Sequence, residues 1–150
     1  MIDPFCDKEQ YSKTIFYMGR HFMALYNIRP ILPGHSLLIP IRHVTRITEL
    51  SSDEAKDMIA AMREVVPALI KLYGADDDSY NMDIQSGPSS GRTIDHLHLH
   101  VIPRKPGDRY YGSSGFSVDI QESLKGLGPE HVAKEVARLR RHFGIRAPIA

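Results

Sequence analysis

The chain has 150 residues, 42% of them hydrophobic and 25% charged, with a formal net charge of +1. That balance suits one soluble globular domain over 1–150 and implies no global pull toward nucleic acid or a membrane, so any phosphate binding must be local. The only cysteine, Cys6, excludes an internal disulfide framework. No apolar run approaches the roughly 18 residues of a membrane span, and Met1-Ile2-Asp3-Pro4 does not read as a signal peptide, so a cytoplasmic location is expected.

In chain order, residues 14–28 read as two short strands around Gly19-Arg20, a hairpin signal. Pro30, Pro33 and Gly34 mark a loop, and Ser36-Leu37-Leu38-Ile39 is a compact apolar strand ended by Pro40. Ser51 and Glu54 have capping-box spacing and open a helix. Ala55, Met58, Ile59, Met62, Val65, Val66, Leu69 and Leu72 hold one face of it until Gly74, with a kink or break expected at Pro67.

Asp76-Asp77-Asp78 reads as a solvated loop. Residues 80–85 alternate Tyr80, Met82 and Ile84 against Asn81, Asp83 and Gln85, the period of a half-buried strand. A tight loop, Gly87-Pro88-Ser89-Ser90-Gly91, leads to the next strand. Residues 105–128 carry five glycines without a sustained period and read as a long mobile loop. Pro129 opens a final helix with the apolar stripe Val132, Val136, Leu139 and Phe143 and basic residues near its end. Strands and helices that do not alternate regularly predict an α+β fold: an antiparallel sheet of about five strands, one long helix and a C-terminal helix.

Residues 95–104 carry the chemistry. His96, His98 and His100 alternate with Leu97, Leu99 and Val101, which predicts a strand with three imidazoles in one row and the leucines facing a core. Neighbours in such a row are roughly 6.6 Å apart at the backbone and the outer pair roughly 13 Å. Three readings fit. A zinc site would need further ligands, and no paired-cysteine motif offers them. A polar row on a solvated sheet face is the bland reading, although histidine is a poor filler for one. Nucleophilic attack on phosphorus is the third: a neutral imidazole is a good nucleophile near pH 7, and flanking histidines can bond phosphoryl oxygens.

At His96 to Ile102 the chain resembles the histidine-triad superfamily, whose signature is three histidines alternating with apolar residues and closed by two more. The resemblance continues through Leu25-Tyr26-Asn27, Arg29-Pro30, Pro33-Gly34-His35 and Leu37 to Pro40. It extends to Gln85-Ser86-Gly87-Pro88 with Gly91 and Thr93. Pro103-Arg104-Lys105, Gly107-Asp108 and the helix 129–143 resemble the fragile-histidine-triad branch, the dinucleoside polyphosphate hydrolases. Residues 109–128 match nothing in it.

This resemblance implies cleavage of dinucleoside polyphosphates, of the diadenosine tri- or tetraphosphate type, with release of a nucleoside monophosphate. His98 is then the nucleophile that forms a covalent nucleotidyl-histidine at the α-phosphate. His96 and His100 flank it, the backbone around His96 fixes the tautomer of His98, and His35 supports the triad from behind. Gln85 and Thr93 match positions that contact the phosphate chain, Asn27 one that holds the ribose, and Leu25 and Phe5 walls for the base. His21, His43, His131 and His142 read as non-catalytic.

The resemblance also implies Mg²⁺ carried by the substrate and a homodimer with a continuous sheet, with no nucleic-acid or membrane partner. Arg92 stands where the family usually has glutamine, adding positive charge near the phosphates. Cys6, His43 and His96 resemble the zinc set of other branches, but Asp3 replaces a thiol, so no protein-bound zinc is expected. A phosphoramidase, a phosphorylase, or a slow-turnover sensor of the nucleotide complex are the alternatives.

Overall fold

The computed structural model describes residues 3–108 and 128–145. Five strands form one antiparallel sheet: β1 (Ile15–Met18), β2 (Phe22–Tyr26), β3 (Ser36–Pro40), β4 (Tyr80–Ile84) and β5 (Leu99–Pro103). Their order across the sheet is β1-β2-β3-β5-β4. With the one-turn helix α1 (Lys8–Tyr11), the long helix α2 (Ser52–Tyr73) and α3 (Pro129–Phe143), this is the expected α+β architecture. Sequence reading did not find α1 or the short 3-10 turns at Ile47–Glu49 and Pro88–Ser90.

Helix α2 begins where the capping box predicts. The Ser51 hydroxyl accepts the Glu54 N–H at 3.2 Å and the Glu54 carboxylate accepts the Ser51 N–H at 2.8 Å. The helix then runs unbroken through Pro67 to Gly74, contrary to the expected kink or break. Pro67 and Arg63, whose carbonyl the proline leaves without an intrahelical donor, are both exposed, so water can hydrate that carbonyl. Val65, Val66, Ala68 and Leu69 are meanwhile buried, and packing holds the helix together. Ile59, expected on the apolar face, is 50% exposed.

Both long helices cover one face of the sheet. Val65, Val66 and Leu69 of α2 and Val132, Val136 and Leu139 of α3 share a core with Phe16, Phe22, Ala24, Leu38, Leu99 and Val101. Strand alternation sends the neighbouring side chains to the other face, where Met23, Leu25, Leu37 and Ile39 cluster with Phe5 and Ile15. His100 belongs to this second face, paired in register with Leu37. The sheet thus separates the helical core from the histidines.

Two strand expectations need correction. Strand β4 is not half-buried by alternation: Tyr80 and Ile84 are exposed and Met82 only partly buried. It is the last strand of the sheet, and its apolar side chains have little cover among the described residues. The histidine strand begins only at Leu99, because His96 and His98 precede the ladder. The loop read at 105–128 falls largely on residues outside the described ones.

Candidate active site

All three triad histidines are buried, as is His35. Their hydrogen bonds set the tautomers. His98 Nδ1 lies 2.7 Å from the carbonyl of His96. A carbonyl only accepts, so Nδ1 carries the proton and Nε2 presents its lone pair. Burial foremost, then the charges of His96 and Arg92, hold His98 below the usual histidine pKa despite the opposing bond to His96 and the charge of Asp3. The ring is therefore neutral at pH 7 and nucleophilic at Nε2.

His100 is ordered from behind. The Ile31 N–H donates to His35 Nδ1 at 3.1 Å, so the proton of neutral His35 sits on Nε2. That Nε2–H donates to His100 Nδ1 at 2.9 Å. His100 must then carry its own proton on Nε2, which has no partner among the described residues. Burial pushes the pKa of His100 down to about 3, with the charge of His98 adding to the effect. The His98 and His100 ring centroids are 5.1 Å apart, so a ring with a free lone pair neighbours a ring with an N–H donor.

The loop carrying His35 is built tightly. Gly34 has φ +88°, and a Cβ there would come within 2.7 Å of the Tyr73 ring and of Pro103. Its N–H donates to the Tyr26 hydroxyl at 3.2 Å, and that hydroxyl also meets Nε2 of His131 on α3 at 3.2 Å. His131, read as non-catalytic, is thus part of the support behind the site. No sequence signal links these positions.

The other predicted residues divide. Phe5 packs edge-to-face with His96 and His98, ring centroids 5.7 and 5.5 Å apart, and Leu25 lies in the same apolar cluster. Asn27 is next to His35, with Nδ2 3.2 Å from His35 Nε2, while its Oδ1 accepts the Arg29 N–H at 2.9 Å. Gln85 follows the end of β4 close to Gly91, and Thr93 is exposed on the segment leading to the triad. Arg92 is not a free cation: it pairs with Asp95 at 2.5 Å and donates to the Thr45 carbonyl at 2.9 Å.

A second cluster lies behind His96. Asp3, His43 and His96 each bring one potential ligand atom within 4.8 Å of the others. Cys6 Sγ stands 3.2 Å from Asp3 and 3.7 Å from His96 Nδ1.

The family model for the HIT domain matches residues 8–107. The chain belongs to the HIT-domain family. Along 97 residues this HIT domain is 39% identical to the asymmetrical bis(5'-nucleosyl)-tetraphosphatase of Schizosaccharomyces pombe, covering 65% of the chain and 52% of that protein. It is 30% identical over 132 residues to the bis(5'-adenosyl)-triphosphatase of Dictyostelium discoideum, covering 88% of the chain and 87% of that protein. Among solved structures, a Zn-bound histidine triad family protein from Mycobacterium smegmatis superposes with a TM-score of 0.57 at 28% identity, covering 85% of this chain and 86% of that one. The HIT domain spans about half the length of the first curated relatives it matches.

Proposed function

We propose that this HIT protein hydrolyses dinucleoside polyphosphates of the diadenosine tri- or tetraphosphate type, through a nucleotidyl-histidine on His98. The observation that carries the reading is the pair of tautomers: a lone pair on His98 Nε2 beside a proton on His100 Nε2. Relatives named as a tetraphosphatase and a triphosphatase of such substrates supply the substrate class.

In the first step His98 Nε2 attacks the α-phosphorus. A P–N bond forms as the P–O bond to the remaining polyphosphate breaks, and that oxygen leaves with the electron pair. The His100 N–H bonds a phosphoryl oxygen as charge shifts. Water then attacks phosphorus, the P–N bond breaks back to the ring, and nucleoside monophosphate departs. Asn27, Gln85, Thr93 and Arg92 serve the ribose and phosphates in this reading, with Leu25 and Phe5 beside the base.

Mg²⁺ travels with the substrate. The Zn-bound relative raises the question of a resident metal, and the donor set here does not fit one as folded. Two ligand atoms on a tetrahedral zinc stand about 3.3 Å apart at the usual bond lengths, whereas Asp3 Oδ2 and His96 Nδ1 are 2.6 Å apart. His43 Nε2 is engaged by the Asp95 carbonyl at 2.9 Å.

The protein also reads as a cytoplasmic homodimer. The exposed apolar side chains of β4 on the sheet edge support pairing, and no described helix is long and apolar enough to cross a membrane. A substrate panel with product identification tests the activity: diadenosine tri- and tetraphosphate should yield the nucleoside monophosphate. Turnover restricted to a nucleoside phosphoramidate, or dependent on inorganic phosphate, would move the protein to a different reaction.

A further inference from the structure

We infer that Asp3 is a positioning residue for the nucleophile, its carboxylate joining the N-terminal segment to His96 without a metal ion. The inference deepens the proposed hydrolase reading and rests on it. Asp3 Oδ1 accepts the Phe5 N–H at 2.9 Å. Asp3 Oδ2 lies 2.6 Å from His96 Nδ1, accepts the Cys6 thiol at 3.2 Å, and is 3.6 Å from His43 Nε2. A single carboxylate therefore occupies the centre of a cluster of donors, the place a cation would take among ligands.

The consequence reaches His98 along two routes. His96 is fully buried, and its Nε2–H donates to the Pro40 carbonyl at 2.9 Å, so acceptors face both ring nitrogens. A ring held at both ends fixes the backbone beneath it, and the carbonyl of that same residue receives the His98 Nδ1–H. Through Oδ1, Asp3 also holds Phe5, whose ring borders His98. One side chain thus sets the carbonyl that orders the nucleophile and the wall beside it.

Three measurements on the full chain test this. Elemental analysis of protein exposed to zinc and desalted should find no stoichiometric metal, and one retained equivalent per chain would overturn the metal-free assignment. NMR of the imidazole protons should show an exchange-protected His96 Nδ1–H that is lost in Asp3→Ala, and its absence from the wild type would also overturn the proposal. Asp3→Ala should lower kcat about tenfold with KM within about twofold, while Asp3→Asn, which keeps the shape and an acceptor oxygen, restores part of the loss. Unchanged kcat in both variants would remove the positioning role. If no polyphosphate is turned over, the hydrolase reading fails, while the NMR signal still reports separately on the Asp3–His96 contact. Should Asp3→Ala not fold, Asp3→Asn carries the kinetic test: a measurable fall in kcat supports the role and wild-type kinetics refute it.

Discussion

His35 Nε2 lies 2.9 Å from His100 Nδ1, and the proton between them belongs to His35. The Ile31 N–H, which occupies the other nitrogen of His35, dictates that order. In the proposed mechanism this leaves His100 with an N–H for the phosphate beside His98, its tautomer set before substrate arrives.

The pH behaviour follows from these buried rings. His98 has its pKa lowered and that of His100 is pushed down to about 3, in both cases chiefly by burial. The neutral, reactive form of His98 therefore persists below the ordinary value of 6.5, and the acid limb of kcat/KM should fall there rather than at neutrality. Stability carries the same sign. Between 6.5 and about 3 the unfolded chain binds the His100 proton more readily than the folded one. The neutral ring's contribution is thus complete above 6.5 and is lost as pH falls through that window. Urea unfolding midpoints measured across the window should drop with decreasing pH, and a rise would contradict the assignment.

His98→Asn should still bind substrate but lose turnover by about three orders of magnitude or more, since the covalent route disappears. Replacing His96 or His100 leaves attack possible with poorer positioning and should be milder. Quenching wild-type protein in mid-reaction with α-labelled substrate should place an acid-labile label on a peptide containing His98. A label on another residue would rule out the mechanism.

If Arg92 serves the phosphates as proposed, Arg92→Gln should raise KM about three- to tenfold and leave kcat nearly unchanged, because a guanidinium in that role acts in ground and transition states alike. The Asp95 pairing adds a second arm: Asp95→Asn removes the charge now held by Arg92 and should lower KM. Steady-state kinetics on both variants decide, and a large fall in kcat for Arg92→Gln would place the residue in the transition state.

Gly34→Ala should destabilise the protein by roughly 1–3 kcal/mol. Its φ of +88° disfavours any side chain, and the new methyl would enter the Tyr73 ring and Pro103. Because His35 is the next residue, activity of the folded fraction should fall as well. Thermal denaturation with parallel assays checks both effects, and a neutral result would mean the loop can shift.

Much of this was legible in the residues. The capping box at Ser51 and Glu54, the stop at Gly74 and the proline-opened α3 all follow from local rules, and the structure keeps each of them. Local rules failed at Pro67, where packing of the buried face outweighs one missing backbone bond, and at β4, where alternation cannot reveal that a strand lies at the sheet edge. The triad was visible as spacing, but its proton order was not. That order depends on Ile31 and Pro40 backbone groups far away in sequence, and backbone groups leave no trace in residue type. Asp3 could be seen as a departure from a thiol pattern, yet its bonds to Phe5, Cys6 and His96 emerge only from the fold.

Helix α3 lies beyond the stretch the family model matches, yet the first strand depends on it. Arg140 donates to the carbonyls of Ile15 at 2.8 Å and Ser12 at 2.6 Å, while His131 reaches the Tyr26 hydroxyl. The helix is thus registered by its own contacts with the amino-terminal part, and not by the length of chain that leads to it.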